Sequence, residues 1–588
     1  METMMNNILN KGRMRQQKMK RMACVAFLIF SFSQSLVFLS SCSDMMDTDS
    51  ELVEFEEDNQ LQNSTDSVYS VMGIIYKLQA IADRTVLLGE LRGDLTTTTA
   101  SATSDLKAIT NFQVSTTNVY NRISDYYAVI NNCNYFLTHI NKDLVKNGRK
   151  VFESEYAAVK AFRAWTYLQT SLIYGSIPLI TEPLLTEEAS QTAMQQTPSD
   201  LTAICNFFID DIKPYVDTKL PTYGQIDDQN SQKFFIPVRA LLGDLCLWAG
   251  RYQEAAQYYH DYLSLRTAPV TTGKTHAYWT DADTKEFRSA RNDFRFNGNG
   301  SDCLCYIPME RNEFYGIKSE LDNIFNSTSV NQYYAQVMPT KQLGKLSAAQ
   351  NYCATPPKID GSQDTLYAPK ENLDRSELAG DLRYGTTYEK LFLSKERFGR
   401  TNSEYQSIDK FNSDGVTLYR ANVVYLRYAE ALNRAGFPQS AFAVLKYGLY
   451  PDNVAKQVDS LETVAAGNLI YFDPDLFTIE NTQGIHSRGS GSAECDTLYQ
   501  LPQPATALLS RADTIAYQQP LLEDMIITEM ALETAFEGYR YYDLMRVALR
   551  RNDPAYLAEP ISRRNGTVDS GLFNLLMDKK NWYLPVKK

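Results

Sequence analysis

Histidine is scarce in this chain, and its cysteines lack the spacing of a metal site or a disulfide scaffold. Residues 43–588 hold an odd number of cysteines and no CxxC pair. The four histidines are scattered, with no second ligand at helical spacing: His139, His260, His276 and His486. These absences argue against a zinc site and against a histidine-based catalytic triad. We therefore expect no metal and no cofactor.

Positive charge is also lacking. The formal net charge is -12, and the one cluster of Lys and Arg lies between Lys11 and Arg21. An acidic surface repels a phosphate backbone, so nucleic acid is not an expected partner. No linker rich in Gly, Ser or Pro divides residues 63–588, which predicts one large globule.

The N-terminus has the layout of a secretory signal, because basic residues precede an apolar run from about Met22 to Leu39. The run ends in Leu39-Ser40-Ser41-Cys42, which resembles a bacterial lipobox cut before its cysteine. We expect residues 1–41 to be a signal peptide and Cys42 to hold the chain on a membrane through attached lipid. A plain secretory signal or an uncut anchor is the alternative.

The rest of the chain is organised by its hydrophobic pattern. Residues 42–62 are acidic and aperiodic, which predicts a flexible tether. Helical parts are expected at 63–265 and 421–588. The run Val68–Ala82 has apolar residues at helical spacing, and Asp66 is its predicted N-cap.

Two short segments repeat one another. Ala249–Ala255 and Ala435–Ala441 share Ala, Gly, Gln and Ala at the same positions, and both resemble the turn of a tetratricopeptide repeat. Gly allows the tight turn, and the last Ala lets the second helix approach the first. The expected fold class is mainly α: a single large globule built on tetratricopeptide-like helix–turn–helix repeats, with long loop-rich insertions and a few short strands.

The insertion, residues 266–420, loses helical periodicity and accumulates Gly, Asn, Thr, Asp and Tyr. Long loops in a packed protein are usually functional or disordered, and the aromatic content argues against disorder. Cys303 and Cys305 alternate along a predicted strand, which favours buried thiols over metal ligands. Tyr278 and Trp279 lie where no helical face can bury Trp279. Because flat rings can stack on the C–H faces of sugars, this pair is the best candidate platform for an oligosaccharide.

A row of carboxylates raises the question of catalysis. Glu529, Glu533 and Glu537 fall one helical turn apart, which could suggest acid/base chemistry on glycosides. With Arg540 within a turn, the row is better explained as an ion-pair network that braces a helix. No pair of carboxylates that would face each other across a cleft can be identified. We expect a protein that is not an enzyme, with a surface glycoside hydrolase as the lesser alternative.

Several segments, in a fixed order, resemble the SusD/RagB family of nutrient-binding outer-membrane lipoproteins. Tyr69–Tyr76 and Glu90–Asp94 are like the first helix of that family and the segment after it. Glu155–Leu179 is like its Glu…Arg-Ala helix, which ends in a Tyr-Gly-x-Ile-Pro-Leu turn. Tyr425–Asn433 and Glu529–Arg546 are similar to its LRYAEALN helix and its FEG-x-R-x(2)-DL-x-R signature.

The resemblance implies a lipoprotein facing outward on the outer membrane. Such a protein binds glycans without cleaving them and delivers them to a SusC-like TonB-dependent transporter; peptide capture by the same mechanism stays open. It also implies ligand contacts from the loop after the first helix and from the insertion. Arg92 and Asp94 are thereby candidate partners for sugar hydroxyls, and Tyr306, Phe314 and Tyr315 are further aromatic candidates.

Overall fold

The first predicted helix is present and extends further than its pattern. In the computed structural model it spans Ser64–Glu90 and begins before Asp66, so the predicted N-cap is wrong. Helix ends shift by a residue or two because terminal turns are weakly determined.

The structure describes part of the chain. The predicted signal peptide (1–41), Cys42 and the tether (42–62) lie outside the described residues. These are 64–586 without 266–276, 282–285, 290–299, 301, 312–314, 326–335, 352, 355–359, 363–365, 368–379, 382, 384–387, 393–403, 409, 412–414, 479–483, 491–492, 494–495 and 506–509.

Helices dominate the regions before and after the insertion, as predicted. In chain order they are α1 (Ser64–Glu90), α2 (Ser104–Thr110), α3 (Ile123–His139), α4 (Glu153–Tyr174), α5 (Glu187–Ala193), α6 (Leu201–Ile212), α7 (Val238–Trp248), α8 (Tyr252–Ser264), α9 (Leu321–Phe325), α10 (Lys341–Ala348), α11 (Ala421–Arg434), α12 (Pro438–Lys446), α13 (Pro451–Gln457), α14 (Ser460–Ala466), α15 (Ser487–Ser490), α16 (Arg511–Glu533), α17 (Arg540–Arg551), α18 (Ala555–Ser562) and α19 (Ser570–Leu576). Short 3-10 helices span Lys213–Tyr215, Ser231–Phe234, Gly467–Ile470 and Lys579–Trp582.

The strands are short and pair two at a time within the described residues, always antiparallel. The pairs are β1 (Thr96–Thr98) with β9 (Val337–Pro339), β2 (Val145–Lys146) with β3 (Arg149–Lys150), β4 (Gln225–Ile226) with β5 (Gln229–Asn230), β6 (Ala277–Asp281) with β7 (Glu286–Ser289), β8 (Cys303–Pro308) with β14 (Gly415–Arg420), β10 (Cys353–Ala354) with β11 (Leu366–Tyr367), and β12 (Tyr388–Phe392) with β13 (Glu404–Ile408). The β8–β14 pair ties the two ends of the insertion together beside α11.

The cysteines of the insertion are mostly as predicted. Cys303 and Cys305 are buried free thiols on β8, and burial raises the pKa of Cys303 to about 12. A thiol that stays protonated at neutral pH is a poor metal ligand. Cys353 is disulfide-bonded, which the odd cysteine count did not predict.

Both predicted helix–turn–helix pairs are present, as α7–α8 and α11–α12. Gly250 and Gly436 follow the first helix of each pair at φ +78° and +97°, a backbone conformation that glycine adopts without strain. Ala255 is fully buried, as expected for close packing. Gly243 adds a second point of close approach, since a Cβ there would lie 2.4 Å from the ring of Tyr259.

The core follows a continuous chain of helix contacts. α3 packs on α4, α4 and α7 pack on α6, α8 packs on α7 and α11, and α11 packs on α12 and α16. α1 crosses this layer and contacts α3, α4, α17 and β8. Residues Leu61–Lys588 form one compact unit, so the expected single globule is observed for this part of the chain.

Candidate functional site

The carboxylate row lies inside a buried ion-pair network, as predicted. Arg383 pairs with Glu529 and, at 3.0 Å, with Glu533. Arg420 pairs with Glu533 at 3.3 Å and with Glu537 at 2.8 Å. All five side chains are buried, and the arginines come from the insertion and from β14. The network therefore joins α16 and the turn that follows it to the insertion.

The charge state of these carboxyls fits a structural role. Burial raises the pKa of Glu533, but Arg488, Arg420 and Arg383 outweigh it and hold that pKa well below its usual range. Burial also opposes ionisation of Glu529, and Arg383 again outweighs it, so its pKa is lowered as well. A general acid for glycoside cleavage needs a raised pKa, whereas these groups stay ionised at neutral pH.

Arg92 and Asp94 are buried beside the C-terminal segment. Arg92 donates hydrogen bonds to the carbonyl oxygen of Trp582 at 2.9 Å and to the hydroxyl of Tyr542 at 3.0 Å. Asp94 accepts two bonds from Arg540, at 2.6 and 3.0 Å. They are 1% and 0% exposed. This placement gives both side chains a structural role and leaves them no face toward a ligand.

The aromatic candidates are divided by their placement. Tyr306 is 3% exposed and packs edge-to-face on Phe234, with ring centroids 5.3 Å apart, so it belongs to the core. Phe314 lies outside the described residues. Tyr278 and Trp279 are on strand β6 rather than in a loop, and their side chains also lie outside the described part. Their role in binding stays a prediction.

Tyr315 is the predicted candidate that faces solvent. It is 81% exposed, and the loop that carries it crosses α1 beside a second exposed ring, Tyr76, which is 46% exposed. A Cβ on Gly316 would lie 3.0 Å from the Tyr76 ring, which shows how closely loop and helix meet. Ile317, 39% exposed, follows. We call Tyr76, Tyr315 and Ile317 the tyrosine platform.

Two polar side chains of α1, the buried Gln79 and the half-buried Asp83, fasten the loop beneath the platform. Gln79 accepts a hydrogen bond from the backbone N–H of Ile317 at 2.9 Å and donates one to the carbonyl oxygen of Pro308 at 2.8 Å. Asp83 accepts one from the Ser319 hydroxyl at 2.7 Å, and burial raises its pKa to about 6. The loop is thus held in place before any ligand arrives, which lowers the entropy lost on binding.

Sequence reasoning missed Tyr76, although it lies in the first family-like segment. The signal was available, because Tyr76 falls off the helix face that buries Val71, Ile75 and Leu78. An aromatic residue on the solvent side of an amphipathic helix has no core to fill. The close approach of its ring to the loop at Gly316 could not be predicted, because it brings together residues far apart in the chain.

No helix among the described residues is long and apolar enough to span a bilayer. No group of three or more His, Cys, Asp or Glu side chains there is placed to hold a metal ion.

The helical arrangement matches solved structures of one superfamily. A SusD superfamily protein from Bacteroides vulgatus ATCC 8482 is similar at a TM-score of 0.56 and 15% identity, over 88% of this chain and 92% of its own. Another, from Bacteroides fragilis NCTC 9343, is similar at 0.54 and 16%, over 89% and 96%. The chain has the SusD fold.

A third structure with the SusD fold is a SusD-like carbohydrate-binding protein from Bacteroides fragilis NCTC 9343. It is similar at a TM-score of 0.53 and 14% identity, over 84% of this chain and 88% of that protein. At such identities the likeness establishes the SusD fold alone. No protein-family model and no curated protein matches the chain. Within the SusD fold, the tyrosine platform lies where the first helix meets the insertion.

Proposed function

We propose that this chain belongs to the SusD/RagB family and is a cell-surface lipoprotein that binds glycans without cleaving them. It passes the bound oligosaccharide or polysaccharide to a SusC-like TonB-dependent transporter in the outer membrane. Cys42 is the lipid anchor, residues 1–41 are the signal peptide, and residues 42–62 are the tether. The tyrosine platform on a SusD fold is the observation that carries the proposal.

The physical basis is the exposure and rigidity of the platform. Two tyrosine rings that are half to four-fifths exposed cover little of the core, so they add little to folding. Their flat faces suit the C–H faces of sugar rings, and their hydroxyls can bond sugar hydroxyls. The flanking Lys77 and Lys318 are exposed and add hydrogen-bond donors. Tyr278 and Trp279 on β6 are proposed to extend this glycan-binding surface.

The test is a binding panel with the full chain in detergent. Neutral polysaccharides, their oligosaccharides and peptides are titrated by calorimetry, and the same mixtures are analysed for cleavage products. Tyr315→Ala should weaken glycan binding about tenfold, because loss of one stacking aromatic removes roughly 1 to 2 kcal/mol. Tyr76→Ala and Trp279→Ala should act in the same direction.

The matched control is Tyr471→Ala. Tyr471 is 65% exposed, comparable with Tyr315, and lies after the 3-10 helix Gly467–Ile470. Its removal should leave the glycan affinity unchanged. Equal losses in both variants would contradict a site at the platform. If only peptides bind, the ligand is a peptide and not a glycan. Release of cleavage products by the wild-type chain would make the protein a surface hydrolase.

A further inference from the structure

A second concavity lies where the C-terminal segment passes the first helix–turn–helix pair. Its volume is about 1060 Å³. It is lined by the turn after α7, the start of α6, the end of α17 and residues 579–586. This is the upper end of the range for sites that enclose a small ligand. We call it the tail cleft; no residue of the tyrosine platform lines it.

Aromatic side chains form part of the tail cleft. Trp248, Tyr252 and Tyr583 line it and are half-buried. The guanidinium carbon of Arg546 lies 5.2 Å from the centroid of the Trp248 ring, and that of Arg434 lies 5.4 Å from the centroid of the Tyr252 ring. Such cation–π contacts hold two of the rings in place.

The tail that forms one wall is fastened to the helices. The backbone N–H of Leu584 donates to the carbonyl oxygen of Ile173 at 2.9 Å, and the Asn121 amide donates to that of Pro585 at 2.9 Å. A Cβ on Gly175 would lie 3.3 Å from the ring of Tyr583. The cleft is thus bounded by packed backbone on the tail side.

The side chains at its mouth are mainly cationic. Arg550 keeps 30% of its side chain exposed and pairs with Glu523. Lys580 is exposed, and the ammonium of Lys579 donates to the Asn552 amide oxygen at 2.6 Å. Neither lysine has a carboxylate partner among the described residues.

Little negative charge opposes the two lysines, whereas Arg550 is balanced by the buried carboxylate of Glu523. Asp200 is the only acidic residue among the described ones that line the cleft, and its carboxylate already caps α6 by accepting from the N–H of Ala203 at 2.8 Å. Burial, with Arg434 next in effect, lowers the pKa of Arg550 to about 10. On a chain of net charge -12, the mouth of the cleft therefore carries two lysines that have no counter-charge among the described residues.

We propose that the tail cleft is a second binding site and that it takes an acidic oligosaccharide. Carboxylate or sulfate groups of the sugar pair with Lys579 and Lys580, while sugar rings lie against Tyr583 and Trp248. This rests on the proposed function in taking the ligand to be a glycan. It goes beyond that function in assigning a separate site and a negatively charged ligand.

The combination of features selects this ligand class. A neutral glycan would leave two lysines without a counter-charge, and a small inorganic anion would leave the aromatic part of the cleft unfilled. An acidic oligosaccharide fits both the lysines and the aromatic side chains, because each sugar ring has an apolar face and each acidic group is an anion. Weak charge pairing at a solvated mouth also suits a ligand that must later be released.

The test compares an acidic oligomer with a neutral one of equal length. Oligogalacturonide of four sugars and maltotetraose are titrated into the full chain in detergent at low and high NaCl. We expect the acidic tetramer to bind more tightly than maltotetraose and to weaken with salt. Lys579→Gln/Lys580→Gln should reduce the affinity for the acidic tetramer about three- to tenfold. Lys579→Glu/Lys580→Glu should reduce it further.

The matched control is Lys146→Gln/Lys150→Gln, two exposed lysines of the β2–β3 hairpin. This variant has the same net charge as the first and should bind the acidic tetramer as the wild type does. Equal losses of affinity in the two variants would overturn the proposal. So would the absence of binding by the acidic tetramer, unless a sulfated oligosaccharide binds and loses its affinity when Lys579 and Lys580 are replaced. An acidic peptide that binds in place of the sugar would also overturn it.

Tyr315→Ala separates this site from the proposed function. If neutral glycans fail to bind anywhere while the acidic tetramer binds and depends on Lys579 and Lys580, the platform is wrong and the tail cleft stands. If neutral glycans bind through Tyr315 and the acidic tetramer does not bind, the platform stands and the tail cleft is wrong.

Discussion

Glu533 shows how one buried charge can join distant segments. Its carboxylate accepts from Arg383 at 3.0 Å, from Arg488 at 3.2 Å and from the Asn422 amide at 2.8 Å, and it pairs with Arg420. These partners come from the insertion, from α15 and from the start of α11. Burying a carboxylate costs free energy, and this cost is offset here because oppositely charged groups and hydrogen-bond donors surround both oxygens.

Replacing Glu533 with Gln removes the charge and keeps the shape. The arginines around it then lack a counter-charge in a buried site, so the free energy of unfolding should fall by about 3 to 5 kcal/mol. Urea or guanidinium unfolding followed by circular dichroism measures the change.

The control for that variant is Glu559→Gln. Glu559 pairs with Arg563 at 3.1 Å one turn along α18, and both side chains are more than half exposed. Exposed pairs contribute little, so this variant should unfold at the wild-type denaturant concentration. Similar losses in the two variants would show that the buried network does not hold the segments together.

At the scale of elements, the backbone of α1 packs closely against the turn that follows α16. A Cβ on Gly89 would lie 1.7 Å from the carbonyl oxygen of Gly538. Glu90 accepts from the N–H of Gly538 at 2.8 Å, and Phe536 and Gly538 have φ of +70° and +93°. The FEG motif therefore serves as a turn that seats on the first helix.

Gly89→Ala should destabilise the protein by about 3 kcal/mol or more, because helix and turn must separate to admit a methyl group. Thermal and denaturant unfolding measure this. The control lies in the same helix: Gly73 is exposed with nothing within 4 Å of an added Cβ. Gly73→Ala should stabilise by about 0.5 to 1 kcal/mol through helix propensity. A loss in both variants would contradict packing at Gly89 as the cause.

The elements were more predictable than the contacts between them. The repeated turns at Gly250 and Gly436 predicted both helix pairs, because a tight turn is a local property of the chain. The tyrosine platform depends on a hydrogen bond from Ile317 to Gln79, across 238 residues. Periodicity reports that a face is buried and says nothing of which segment covers it. Only the family resemblance made Arg92 and Asp94 candidate partners for sugar hydroxyls, and it did not show that the C-terminal segment buries them.

At the scale of the whole molecule, buried carboxyls of two kinds set the response to pH. Burial raises the pKa of Glu90 to about 7 and that of Asp83 to about 6. Burial acts the same way on Glu430, but Arg434 and Arg546 outweigh it and lower that pKa to about 2. Glu90 and Asp83 therefore bind protons more readily in the folded protein, whereas Glu430 binds them more readily in the unfolded protein.

The free energy of unfolding should therefore pass through a maximum near pH 5. From pH 8 to pH 5 it should rise by about 4 kcal/mol as Glu90 and Asp83 take up protons in the folded state. Below the usual pKa of 4.5 for Glu430 it should fall, since unfolding then binds protons at the paired carboxyls. Denaturant unfolding at pH 8, 5 and 3 measures the curve.

Glu90→Gln is the control for this curve. It removes one of the two groups responsible for the rise, so the gain between pH 8 and pH 5 should shrink while the fall below pH 4.5 stays. A stability that declines steadily from pH 8 to pH 5 in the wild type would contradict the raised pKa of Glu90 and Asp83.

The hydrogen bond from Arg92 to the carbonyl oxygen of Trp582 joins residues 490 positions apart. Asn121 reaches Pro585 over a similar distance, 464 positions. During synthesis, the first helix therefore waits for almost the entire chain before its last partners emerge from the ribosome. A nascent chain of this kind completes its core only after most of it has been synthesised, which suits the secretion proposed above.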